Sequence, residues 1–117
     1  MKNVLIFAAV AEVATGLALL IVPSLVGQLL LGADLTGVAI PVARVTGIAL
    51  IGLGVACWPG PPLVGMLIYS AVVASYLAYL GFAAGLTGIF LWPAVALHAI
   101  LSVFLGRDWL AGDRQEV

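Results

Sequence analysis

The feature that most constrains this chain is a long apolar run containing a single charge. Residues Asn3 to Val22 read NVLIFAAVAEVATGLALLIV, and Glu12 is the only charged group in them. About twenty apolar residues, each rising 1.5 Å in a helix, cross the hydrocarbon core of a bilayer. Glu12 falls near the middle of that run. A carboxylate at such depth costs several kcal/mol unless it is protonated, paired or hydrated. The fold must both cover the apolar surface and provide for this one side chain.

The apolar surface is not confined to the first run. The chain has 117 residues, 65% hydrophobic and 8% charged, with mean hydropathy +1.32. Soluble domains carry about a quarter charged residues. A water-soluble fold of this length could not hide so much apolar surface, so lipid is expected to cover it. The length fits one domain. A formal net charge of −1 without a basic patch argues against nucleic-acid binding. Cys57 is the only cysteine, so it cannot form an internal disulfide or build a cysteine metal site. It reads as a small apolar residue near a helix end. Lys2 and Ala9-Val10-Ala11 imitate a signal peptide and its cleavage site. The stretch between them is short and the apolar run continues past it, so a retained membrane helix is expected.

Proline and glycine punctuate the rest. The first span covers about 3–22 and ends at Pro23, which lacks an amide donor. PSLVGQLLLG, residues 23–32, is apolar but too short to span. It reads as a helix lying in the membrane interface. Further spans are expected over about 36–58, 62–84 and 89–105, separated by the proline-rich WPGPP turn and by GLTG. The expected fold is all-α: a four-transmembrane-helix antiparallel bundle, residues 1–106, with a short interfacial helix between spans one and two. Residues 107–117 form a polar tail. Lys2, Arg107 and Arg114 fall on the side of the termini, and Asp34 falls on the other. The positive-inside rule then places both termini in the cytoplasm. Trp58, Trp92 and Trp109 fall at expected interfaces, where lipid anchoring accounts for them.

Depth counting from the helix ends places Glu12, Arg44, Tyr76 and His98 in one layer, one residue from each span. Small residues beside Glu12, Arg44 and His98 allow close helix contact. Two readings follow. In one, Glu12 pairs with Arg44 while Tyr76 and His98 complete a structural network. In the other, the layer is a ligand or proton site. Tyr69, Tyr76 and Tyr79 read as packing or interfacial residues rather than a cofactor box. A lone histidine is a poor metal site, so no metal and no cofactor are expected, although one histidine is enough to ligate a haem. No nucleophile-base-acid set or phosphate loop is present, which leans the reading away from an enzyme.

EVATGLALLIVPSLVGQLLLG, PVARVTGIALIGLGVACW and LWPAVALHAIL, taken in order, resemble the DoxX-like proteins, small four-helix bacterial membrane proteins of unknown function. The resemblance covers nearly the whole chain. It rests on Glu12, on the helix and glycine after Pro23, on Arg44 with Gly47, and on Trp92-Pro93 with His98. It implies a four-helix bundle in the bacterial inner membrane and no settled reaction. AEVATG is also similar to the first helix of small multidrug resistance transporters, which exchange protons at a glutamate. That family lacks a matching interfacial helix and a buried arginine in span two.

Three functions are therefore expected to compete. The first is a non-catalytic membrane protein whose polar pocket holds a small lipophilic or anionic molecule, of the quinone or lipid class. The second is a proton-coupled exporter using Glu12. The third is a structural subunit of a larger membrane complex, with no ligand of its own; the partners expected besides lipid are a second copy of the chain or that complex.

Overall fold

A computed structural model describes residues 2–115. Five helices follow one another: α1 Lys2–Ile21, α2 Pro23–Leu31, α3 Ala39–Cys57, α4 Pro62–Phe82 and α5 Leu91–Gln115. No strand occurs among the described residues. Four segments are long and apolar enough to cross a membrane: Asn3–Ile21, Ala39–Cys57, Pro62–Phe82 and Leu91–Gly112. This is the signature of a multi-pass membrane protein. Side chains left on the surface agree with it, since Phe7, Leu29, Phe82 and Ile89 are all exposed.

Local chemistry explains the helix ends. The α1 ladder runs through Val22, whose N–H reaches Ala18 O at 2.8 Å. Pro23 breaks it and opens α2 at a position where a missing donor costs nothing. Gly32 closes α2 in the left-handed region at φ 76, its N–H bonded to Gln28 O. The third helix starts three residues later than the sequence suggests. Gly37 at φ 58 turns the chain, and the N–H groups of Ala39 and Ile40 bond back to Thr36 and Gly37. At the other end of the chain, α5 continues well beyond Leu105, through Gly106 to Gln115. Helix-tolerant residues follow Gly106 and no proline intervenes, so nothing stops it. Residues 107–115 of the polar tail are thus helical, while 116–117 lie outside the described residues.

The chain divides into two compact units, Met1–Gly65 and Met66–Val117. In the first, α1 lies against α3 through glycines. A Cβ added at Gly16 would sit 2.5 Å from Gly47 O, and one at Gly54 would sit 2.8 Å from Ala9 O. In lipid, such backbone approach is what holds helices together. Gly65, in the first turn of α4, meets Gly52 and Ala56 of α3 in the same way. Beside them, α2 is fastened by Gly27 against Leu35 and by the Gln28 side chain donating to Asp34. In the second unit, α4 meets α5. Gly81 lies against Leu91 and Trp92, and the Phe82 and Trp92 rings stand 4.8 Å apart. Val73, Ala74 and Leu80 of α4 are buried.

Candidate functional site

The glycine contacts set the register between α1 and α3, and with it the level of the charged groups. Gly54 faces Ala9 and Val13, while Gly47 faces Gly16, Leu19 and Leu20. Continuing that register, Arg44 lies opposite the last turn of α1, near Ile21. Glu12 lies opposite the stretch near Leu53. The two are offset by roughly 13 Å along the helices at 1.5 Å per residue. Side chains also lean toward the N-terminus of their own helix, which carries these two further apart. Both are half-buried. Nε of Arg44 is buried and makes no hydrogen bond to Glu12 or to any other group among the described residues. The register thus separates two residues that depth counting placed side by side.

The second unit holds the other two residues of the expected layer. His98 is half-buried and stands against Tyr69, ring centroids 5.6 Å apart and planes at 77°. Tyr76 stacks on Tyr79 at 6.3 Å, and its hydroxyl is buried without a partner. Tyr69, read from sequence as a helix-contact residue, is therefore the aromatic neighbour of His98. The heptad separation of Tyr69 and Tyr76 left either one eligible, and only the α4–α5 contact selects between them.

Ser70 was not singled out by the sequence. Its side chain is 0% exposed and its Oγ has no partner. The other serine and threonine hydroxyls in the long helices behave differently. Thr15, Thr46, Ser75 and Ser102 each donate to the carbonyl four residues back. That local bond is how a short polar side chain is satisfied in a helix without water. Ser70 forgoes it. No composition signal could have marked it, because the difference lies in side-chain rotation alone.

An apolar cavity of about 370 Å³ opens beside the α1–α3 seam. Val10, Val13 and Leu17 line it from α1, and Val55, Trp58 and Pro59 close it from the end of α3. Glu12 does not line it. At 100° per residue, Glu12 lies roughly 140–160° around α1 from Val10, Ala14 and Leu17, about 100° from Val13 and about 60° from Ala9, so it is off the centre of the lining. The cavity suits hydrocarbon, and the carboxyl takes no part in its lining. Trp58, Trp92 and Trp109 are all exposed. Among the described residues, no three His, Cys, Asp or Glu side chains gather as a metal site would require.

No protein-family model, curated protein or solved structure matches the chain. Its function must be argued from its own chemistry. Among the described residues, that chemistry comprises one buried, unpartnered guanidinium nitrogen, two buried, unpartnered hydroxyls, a carboxyl away from the arginine, and an imidazole braced by tyrosine.

Proposed function

We propose that this chain is a non-catalytic integral membrane protein that binds a small lipophilic molecule through a polar head, with quinones or lipids as the class. In this reading the four spans form an antiparallel bundle in the bacterial inner membrane. Both termini lie in the cytoplasm, and α2 lies along the opposite interface. The resemblance to DoxX-like proteins supports the bundle. The seventeen-residue spacing of Trp92 and Trp109, roughly 25 Å of helix, supports a span between two interfaces.

The observation that carries the reading is the buried, unpartnered Nε of Arg44. A charged group with a buried, unpartnered donor is costly, so the accessible remainder of this half-buried guanidinium is expected to meet an oxygen atom. The level of Arg44, opposite the last turn of α1, suits the carbonyl or anionic head of a lipophile better than its tail. The test is mass spectrometry of organic extracts from protein purified in mild detergent. A defined lipophile should accompany the wild type and fall about tenfold in Arg44→Met, the loss expected for one charged hydrogen bond. Arg44→Lys serves as a second variant if Arg44→Met unfolds. Equal amounts in folded wild type and variants would remove the reading.

A second reading has an observation of its own. An adjacent cation would hold the carboxyl ionised and oppose proton exchange, and the register takes Arg44 away from Glu12. A proton-coupled exporter would lose transport in liposomes on Glu12→Gln while its fold survives. Undiminished transport in Glu12→Gln would exclude Glu12 as the exchange site.

A further inference from the structure

We propose that His98 is a hydrogen-bond acceptor for the hydroxyl of a lipophilic phenol or alcohol. This rests on the reading above that the chain binds a lipophile by a polar head, and names the hydrogen-bond donors that the second unit would take. The argument begins at Ala94, one turn back on α5. Nδ1 of His98 lies 2.8 Å from Ala94 O. A carbonyl oxygen only accepts, so Nδ1 carries the hydrogen and donates it. In the neutral imidazole the lone pair is then on Nε2. Histidines that act as acceptors or ligands are set in the same way, with one ring nitrogen tied to a carbonyl so that the other is presented.

The surroundings keep that nitrogen available. The only buried nitrogen without a partner among the described side chains is Arg44 Nε, so Nε2 of His98 is not sealed off. Tyr69 meets the imidazole edge-on and restrains its rotation. One heptad along the same stripe of α4, about 10 Å away, Tyr76 holds its unpartnered hydroxyl. A guanidinium can only donate and so selects an acceptor. Nε2 of a neutral histidine makes the opposite selection and takes a donor. A metal would find one ligand here and no cluster to complete its shell among the described residues.

His98 is the only histidine in the chain. Imidazole nitrogen NMR of labelled protein in lipid nanodiscs therefore reports this site alone. The free protein should show the Nδ1-protonated tautomer. Para-hexylphenol should shift the Nε2 resonance saturably, and para-hexylanisole, the same lipophile without its hydrogen, should leave it in place. The preference for the phenol should be about tenfold, the scale of one hydrogen bond. His98→Phe, which keeps a ring against Tyr69 but has no imidazole to report, should bind phenol and ether equally in equilibrium dialysis of the same nanodiscs. An Nε2-protonated tautomer, or equal responses to phenol and ether in the wild type, would overturn the proposal. Para-hexylacetophenone, an acceptor without a donor, separates this result from the parent reading. Its Arg44-dependent binding with no phenol preference sinks the role of His98 alone. Phenol preference without Arg44-dependent acetophenone binding sinks the role of Arg44 and upholds that of His98.

Discussion

Gly16 and Gly47 approach so closely that a Cβ on either one would lie 2.5 Å from the carbonyl oxygen of the other. The contact is reciprocal and made of backbone, so neither side can yield by rotating a side chain. Gly16→Ala and Gly47→Ala should each destabilise the protein by about 1–3 kcal/mol, the usual cost of overpacking. Gly106→Ala is the control, because a Cβ there meets nothing within 4 Å. It should stabilise α5 by about 0.5–1 kcal/mol, since alanine replaces glycine in a helix. Denaturant titration in micelles, read by circular dichroism, measures all three.

Ser70 predicts a gain from loss of a polar group. Its fully buried hydroxyl has no partner, so removing it takes away a desolvation penalty without breaking a bond. Ser70→Ala should raise stability by up to about 1 kcal/mol. Ser102→Ala, which deletes a bond to His98 O, should instead be neutral or mildly destabilising. A loss of stability in Ser70→Ala comparable to a core deletion would mean that the hydroxyl has a partner after all.

At the other end of α4, Gly81 and Trp92 should couple. A Cβ at Gly81 would meet Trp92 and Leu91 side-chain atoms at 2.7 Å. Gly81→Ala alone should cost about 1 kcal/mol or more. In a Trp92→Leu background the same change should cost less, because the ring it strikes is gone. A double-mutant cycle should show coupling of about 0.5 kcal/mol or more. Additive effects would place Trp92 away from Gly81.

Much of the architecture could be read from residues because the signals were local. Pro23, Gly32 and Pro62 stop or start helices for reasons contained within a turn of chain, and the observed ends fall within a few residues of the expected ones. The end of α5 was less legible, because Gly106 is only a weak breaker without a proline to support it. The polar groups were harder for a different reason. Depth counting treats every span as starting at the same level. The contacts of Gly16, Gly47 and Gly54 fix the offset between α1 and α3 instead, and several glycines and alanines in each helix could have nested otherwise. Arg44 moves toward the end of α1 as a result. The same limitation concealed the partner of His98, since Tyr69 and Tyr76 share one stripe of α4 and only contact with α5 distinguishes them.

The central claim is that Arg44 is not the counter-ion of Glu12, which leaves the accessible part of its half-buried guanidinium for a ligand. Its most direct test is a double-mutant cycle of Glu12→Gln and Arg44→Met, measured by reversible unfolding in micelles. Groups this far apart should give additive effects, within about 0.5 kcal/mol. A coupling well above 1 kcal/mol, with the double variant recovering much of what either single change loses, would show a buried ion pair and contradict the account.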